Sequence, residues 1–424
     1  MRFKRLLPVL VLLTSSLSLA SPAQDLFNEV IQILSNNYGG FSAARPAQLR
    51  DQYQPQLAQA CGADANCPRE TAVPVIRALI SGLNDRHTRY MTPAEYNDFQ
   101  ARMRGTTSER PQLGVILQTV DGLDGLLIAE VSSGSPAEEA GLRRGDRILL
   151  IDGDSLPANP DDRVPFLRER IGQGRPLTLS VQRVQERLEL RVLPRQISLQ
   201  QLPSVSLRPD GVALLRIPSF TGYRQVGPRV HELVLQAQQS GAKAIVVDLR
   251  NNGGGLLSEC LVGAGAFVDE VYRRLRQPGQ SSDQLFRSGT YYTGFGSSLN
   301  EIFTLPSAAR WRGPTIVLVN DRTASCAEYF AFDLQEGGKF KVIGSPTAGV
   351  GNTATIILRL RDGSGLQVTT SQAQRRDGTP YPDQVTPDIA LADDWRALAE
   401  GRDVMLDRAV ELVLNSAEQG AAGR

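Results

Sequence analysis

Histidine is almost missing from this chain, whose 424 residues contain two, His87 and His231. Neither stands at metal-site spacing from a second ligand, which argues against an imidazole-built zinc centre. Beyond residue 20, lysine occurs only at Lys243, Lys339 and Lys341, so amine chemistry has few places to come from. There is no net field either: 46 basic residues stand against 45 acidic ones, which excludes a generic attraction to nucleic acid or an anionic membrane. Past the N-terminus no apolar run approaches the ~20 residues of a membrane-spanning helix. Repeats and low-complexity tracts are absent.

What is present suits a globular protein. Apolar residues make up 41% and charged residues 21%, enough to bury sizeable cores, and the length suits two or three domains. Residues 1–20 read as a signal peptide, with Arg2, Lys4 and Arg5 ahead of an apolar stretch from Leu6 to Leu13 and small residues at Ser18-Leu19-Ala20. Removing them takes away three cations and shifts the net charge from +1 to −2. No cysteine follows the cleavage point, so no lipid anchor is expected. The mature chain is expected in the periplasm or outside the cell, without stable membrane insertion. Cys61 and Cys67, in a polar stretch with Pro68, suit a local disulfide in such a compartment; zinc is the weaker reading.

Periodicity divides the rest. The stripe Leu26, Phe27, Val30, Ile31, Ile33, Leu34 predicts one helix, and Val73, Ile76, Leu79, Ile80, Leu83 a second. They make a helical N-terminal domain over 21–108. Apolar runs at 113–117, 126–131, 148–151 and 177–181, split by Gly and Asp, predict a mostly β module over 110–195. Beyond Val205, strand 212–217, helix 223–240 and strand 244–249 lead into a glycine-rich turn. A long loop over 269–313, strand 315–320 and another helix follow. That alternation predicts an α/β core over 196–394, and 395–424 reads as a C-terminal helix and tail.

Three constellations carry chemistry. The first is Gly134-Ser135-Pro136-Ala137-Glu138-Glu139-Ala140-Gly141-Leu142 with Arg144-Gly145-Asp146-Arg147-Ile148 and Ile151-Asp152-Gly153. It resembles a PDZ domain, which implies an extended peptide added as a strand and its terminal carboxylate held by backbone N–H groups. The turn in the matching place is Leu113-Gly114-Val115. Turn punctuation in some other β domain is the plainer alternative.

The second is Asp248-Leu249-Arg250-Asn251-Asn252-Gly253-Gly254-Gly255, a strand running into a glycine turn and a helix. Such a turn can aim N–H groups at a developing oxyanion. Phosphate cradling is the competitor, but the Lys and Ser/Thr of a P-loop are missing. The third is Asn320-Asp321-Arg322-Thr323-Ala324-Ser325-Cys326-Ala327-Glu328. Taken alone, Ser325 with Glu328 spells a capping box and needs no catalysis.

In this order, and with Leu83-Asn84-Asp85-Arg86-His87-Thr88 ahead of them, the three motifs resemble the carboxyl-terminal processing (tail-specific) serine proteases over roughly residues 70 to 390. The resemblance implies a crotonase-like α/β protease core. It places the nucleophile on Ser325 and oxyanion donors on the N–H of Cys326 and a turn glycine, foremost Gly254. One departure stands out. The family's Gly-x-Pro-Thr-x-Gly-Lys-Gly stretch is Gly344-Ser345-Pro346-Thr347-Ala348-Gly349-Val350-Gly351 here, with Val350 where the lysine base belongs and Ala354 where its supporting Gln would be. Valine accepts no proton, and a neutral serine needs an adjacent base. The tricorn-like branch of the superfamily uses a histidine just before the PDZ domain, which His87 matches, and a late carboxylate, which Asp383 matches. His231 reads as a helix-packing or solvent-facing residue. Cys260 and Cys326 read as a disulfide or two buried thiols rather than a nucleophile.

The sequence is thus read as an α/β multidomain, exported serine endopeptidase acting on protein or peptide substrates engaged by its PDZ module, cutting near their C-termini. No metal, nucleotide or redox cofactor is expected. The alternative from another class is an inactive relative that binds peptides as an adaptor or holdase.

Overall fold

Ser21 opens the first helix by accepting the Gln24 N–H, and Pro22 takes the first helical position, where a missing N–H costs nothing. The structure, a computed structural model, describes residues 20–107, 110–198, 200–295 and 298–422; residues 1–19 of the expected leader lie outside them. Helix α1 (Pro22–Asn37) buries its apolar stripe against α2 (Pro46–Cys61) and α3 (Arg69–Ser81). Helix α2 buries only Leu49 and Leu57, too few to announce a helix by period. The Cys61–Cys67 disulfide joins the end of α2 to the start of α3. Strand β1 (Arg89–Met91) follows, then α4 (Pro93–Arg104), capped reciprocally by Thr92 and Glu95.

A second unit holds β2 (Val115–Gln118), β3 (Leu126–Val131), α5 (Pro136–Glu139), β4 (Arg147–Ile151), β5 (Asp154–Ser155), α6 (Pro160–Gly172), β6 (Leu177–Arg183) and β7 (Glu186–Val192). Its sheet runs β2-β3-β4-β6-β7 with β5 beside β4, so β2 is an edge strand. Leu126, Ile128, Ile148, Ile151, Leu177, Leu179 and Val181 face one core with Leu167 and Ile171 of α6.

The third unit starts with β8 (Ser204–Leu207), β9 (Val212–Arg216), α7 (Val226–Gln239), β10 (Ala244–Asp248) and α8 (Leu257–Ala264). The expected loop over 269–313 instead contains four strands: β11 (Glu270–Gln277), β12 (Gln280–Arg287), β13 (Thr290–Phe295) and β14 (Ser298–Thr304). Gly279 and Gly289 sit in hairpin turns rather than loop: Ser288 and Gly289 have φ of 51° and 81°, as a two-residue turn of the primed kind requires. Arg273, fully buried on the inward face between Val271 and Leu275, interrupts the apolar alternation of β11.

After the hairpins come β15 (Thr315–Val319), α9 (Cys326–Phe332), β16 (Lys341–Gly344), β17 (Thr353–Arg359), β18 (Gly365–Gln374), β19 (Ile389–Ala390), α10 (Trp395–Ala399) and α11 (Val404–Ala422). Strands β9, β10, β15, β16 and β19 are parallel, with β8 antiparallel at the edge. Alternate strand residues point to opposite faces. Leu215, Val247 and Val317 meet α7, α8 and α9, while Val212, Val246 and Leu318 meet Met405, Ala409 and Val413 of α11. The second sheet, β1-β18-β11-β12-β13-β14 with β17 on β18, takes its edge strand from the N-terminal region. Leu366 and Val368 of β18 share a core with α1 and α3, so the N-terminal helices close against the α/β unit.

Candidate active site

The adjacent parallel strands β10 and β15 end together, Asp248 opposite Leu318, and the glycine turn and the Ser325 loop leave from those carboxyl ends. That is where open α/β sheets place their sites. Arg250, 3% exposed, doubles back on Asp248 with Nη2 at 2.7 Å and Nε at 3.0 Å and reaches Asp403 at 2.8 Å. Burial alone would raise the Asp248 carboxyl, but Arg250 and Arg216 hold it well below the usual carboxylate range.

The two loops are stitched to each other. Asn251 N–H donates to Asn320 Oδ1 at 2.9 Å and Asn320 Nδ2 returns a bond to Asn251 Oδ1 at 3.1 Å. The Ala324 N–H donates to Asn252 O at 2.9 Å, and Thr323 Oγ1 to Leu249 O at 2.9 Å. Gly254 has φ of 93°, and a Cβ there would meet Ala324 O at 2.7 Å and Cys326 N and Ser325 Cβ at 2.9 Å. Only glycine lets the turn lie against the serine.

Ser325 itself sits at φ 54° and ψ −118°, an uncommon conformation for a residue with a side chain, immediately before α9. Glu328, fully buried, holds it there. The Glu328 carboxylate accepts the Ser325 N–H at 2.7 Å, Thr347 Oγ1 at 2.6 Å, and the N–H groups of Gly349 and Val350 at 2.8 and 3.1 Å. Burial raises its pKa in spite of those four donors. Cys326, the first residue of α9, is bonded to Cys260 of α8. Its N–H has no acceptor among the described residues, as expected of a first helical position. The Gly254 N–H, by contrast, is taken by Asn252 Oδ1 at 2.9 Å.

Of the other expected residues, Val350 is where the resemblance puts it, buried beside the serine's own anchor. His87 is buried, and its Nδ1 meets Thr353 Oγ1 at 2.8 Å rather than a carboxylate. Asp85 sets the local turn by accepting the His87 N–H at 2.9 Å and Thr88 Oγ1 at 2.8 Å. Burial pushes the imidazole pKa down to about 4; Asp85 raises it and Arg89 lowers it further. No hydrogen bond joins the ring to Ser325. Asp383 is exposed, with Oδ1 accepting the Gln384 N–H at 3.0 Å and its carbonyl accepting the Gly351 N–H at 2.7 Å. It lines one cleft with Asp85, Arg86, Val350 and Thr353, but does not reach His87. His231 is a helix-packing residue, Nε2 on Val262 O and Nδ1 accepting the Ala309 N–H.

In the β module, Leu113 is buried and its carbonyl accepts the Ala137 N–H, while Gly114, at φ 79°, accepts the Ser132 N–H. A Cβ on Gly114 would come 2.3 Å from Ser135 Cβ. Val115 begins the edge strand β2. The N–H groups of Leu113 and Gly114 have no protein acceptor among the described residues. Gln118, at the far end of β2, accepts from Arg322 Nη2 at 2.6 Å, which ties this strand to the Ser325 loop.

Sequence reasoning missed Thr353 and the roles of Asn252 and Asn320, since a lone Thr or Asn has no spacing to betray it. Glu328 was legible as a cap, not as the tie to residues 347–350. Among the described residues no group of three His, Cys, Asp or Glu could hold a metal.

Residues 211–391 match the profile of peptidase family S41, and residues 127–183 that of the PDZ domain. The chain is 29% identical over 310 residues to a carboxyl-terminal-processing protease of Synechocystis, covering 72% of this chain and 67% of that one. It is 28% identical over 320 residues to a CtpA-like serine protease of Staphylococcus aureus, covering 74% of this chain and 59% of that one. This chain therefore spans about three fifths to two thirds of those relatives' lengths. A crystal structure from Bacteroides fragilis that carries the S41 protease name has a similar fold, with a TM-score of 0.62 at 17% identity over 98% of this chain and 99% of that one.

Proposed function

Residues 211–391 of this chain belong to peptidase family S41 and residues 127–183 to the PDZ domains, and on that premise we propose that the protein is an exported serine endopeptidase. It takes extended protein or peptide segments on its PDZ domain and cuts near their C-termini with Ser325. The observation that carries this reading is the strained Ser325, held at φ 54° at the head of α9 by a buried glutamate and pressed against a glycine turn. Backbone strain of ~1–3 kcal/mol persists where function gains from it, and a serine on a sharp strand-to-helix turn presents its hydroxyl clear of the backbone.

In this reading Ser325 Oγ attacks the scissile carbonyl and its proton passes to His87, the histidine that stays neutral and able to accept down to about pH 4. The Cys326 N–H, with no acceptor among the described residues, donates to the oxyanion. The Gly254 N–H joins it by exchanging Asn252 for the oxyanion. Thr353, not Asp383, is the neighbour that orients the ring. His87 gives that proton to the leaving amine as the C–N bond breaks, and water, deprotonated by His87, then hydrolyses the acyl-enzyme and frees Ser325. The edge position of β2 and the N–H groups of Leu113 and Gly114, without an acceptor among the described residues, suit a peptide strand ending in a carboxylate. The charge pattern of residues 1–20 and the two disulfides favour an oxidising compartment.

The deciding experiment treats the purified protein, from residue 21, with a fluorophosphonate and reads the intact mass. A single adduct that maps to Ser325 and vanishes in Ser325→Ala supports the reading. An unlabelled wild type that still binds peptide would replace it with a peptide-binding role.

A further inference from the structure

Ser325 lies between two ties that join the same two segments. Ahead of it, the Ala324 N–H donates to Asn252 O at 2.9 Å. Behind it, Cys326 is bonded to Cys260, 66 positions earlier in the chain, with Cα atoms 5.8 Å apart. Cys260 stands in the first turn and a half of α8, the helix that starts where the glycine turn ends. The disulfide therefore links the residue after Ser325, whose N–H has no acceptor among the described residues, to the helix that begins where the glycine turn ends. Both cysteines are fully buried. Between the two ties, the turn lies so near the head of α9 that a Cβ on Gly254 would come 2.9 Å from Cys326 N.

We propose that the Cys260–Cys326 disulfide is a positioning element of the oxyanion site, so that the chain turns over substrate efficiently only once this bridge has formed. The inference rests on Ser325 being the nucleophile. An oxyanion donor works only when it lies about 2.7–3.1 Å from the developing charge, and removal of one donor lowers kcat on the order of 10²–10³-fold. With the bridge open, the head of α9 is tied to the glycine turn by hydrogen bonds ahead of Ser325 alone, from Ala324 to Asn252, from Thr323 to Leu249 and between Asn320 and Asn251, and no covalent bond holds the Cys326 N–H against the turn. Substrate binding by β2 and its carboxylate turn lies in another unit and is untouched. Arg273 Nη1 lies 3.9 Å from Cys260 Sγ. Because both sulfurs are buried, reduction waits on local opening; an external thiolate then attacks Cys326 Sγ, Cys260 leaves as a thiolate stabilised by that guanidinium, and a second thiolate resolves the mixed disulfide on Cys326. A chain made in a reducing compartment is held at low activity until it is oxidised.

The test compares kcat and KM on one peptide substrate, the fluorophosphonate labelling rate and the unfolding transition. Two proteins are used in parallel. The first is Cys260→Ala/Cys326→Ala. The second is Cys61→Ser/Cys67→Ser, which retains only the bridge of interest, unfolded, reduced with dithiothreitol and refolded anaerobically. In that step the dithiol closes to its cyclic disulfide, and its two electrons and two protons end on the Cys260 and Cys326 thiols. Both proteins are expected to unfold cooperatively, with KM within about twofold of wild type, kcat lower on the order of 10²-fold and labelling slowed in parallel. Reoxidation restores kcat in the second protein and not in the first. Reduced protein with unchanged kcat overturns the proposal, as does a loss confined to the unfolding transition. An oxidised wild type that neither labels nor turns over removes both this inference and the serine-nucleophile reading; equal activity in both redox states removes this one alone.

Discussion

The Glu328 carboxylate accepts the N–H of Ser325 at 2.7 Å, three positions back in the chain, and on the same oxygen it accepts the N–H of Val350 at 3.1 Å. One buried side chain thereby sets the conformation of the candidate nucleophile and seats the segment from which the relatives' lysine is missing. Glu328→Gln replaces one acceptor oxygen by a donor among four donors. It is expected to cost about 1–3 kcal/mol in denaturant unfolding and to slow serine-probe labelling. Wild-type stability in that variant would contradict the role assigned to the carboxylate.

Ser325→Ala should abolish peptide cleavage without unfolding the chain. Ser325→Gly should be equally inert yet more stable than Ser325→Ala by about 1 kcal/mol, because glycine adopts φ 54° without strain. Equal stability of the two variants, measured by urea titration, would mean that the backbone at 325 stores no strain.

His87→Ala is expected to lower kcat on the order of 10³-fold, whereas a change at His231, which touches only Val262 and Ala309 through its ring nitrogens, should leave it nearly unaltered. Because burial holds the His87 imidazole at about 4, the acid limb of the rate profile should fall near pH 4 rather than near 6.5. A limb at 6.5 would point to a ring that is solvated in the working enzyme.

Stability should fall with acid for a related reason. The folded pKa values of His87 and His231 both lie below the ordinary 6.5, so the unfolded chain binds protons that the fold refuses. The contribution is full above pH 6.5 and is lost as pH falls, for His87 until about pH 4. For His87 that is on the order of 3 kcal/mol, at about 1.4 kcal/mol per unit. His231→Gln should flatten part of the slope of unfolding free energy below pH 6.5; an unchanged slope would show that burial does not hold its ring neutral in the fold.

On the PDZ side, Gly114→Ala would bring a methyl to 2.3 Å from Ser135 Cβ at a backbone φ of 79°. Calorimetry should find peptide binding lost or strongly weakened while the fluorophosphonate still labels Ser325. For wild type, an amidated peptide should bind more weakly than the free acid, since the Leu113 and Gly114 N–H groups lose an anionic partner. Equal affinities would place the binding determinants inside the peptide.

Motifs that are continuous in sequence were legible before any fold was known: the glycine turn before α8, Ser325 with its Glu328, the PDZ run, and the absence of a lysine at Val350. Each depends on residues within about ten positions of one another, where backbone geometry and spacing already constrain what the chain can do. The alternation of strands and helices about β9, β10 and β15 was legible for the same local reason. Strands β11 to β14 were not, because their turn glycines and the buried Arg273 look like loop until cross-strand partners supply the buried face. Only the tertiary structure decided that Cys260 and Cys326, 66 residues apart, form a bridge beside the serine. It also decided that His87 meets Thr353 rather than Asp383, and that Asn252 occupies the Gly254 N–H. Those pairings depend on which faces of distant elements pack together, and no spacing along a chain encodes the distance between two residues that meet only when a core closes between them.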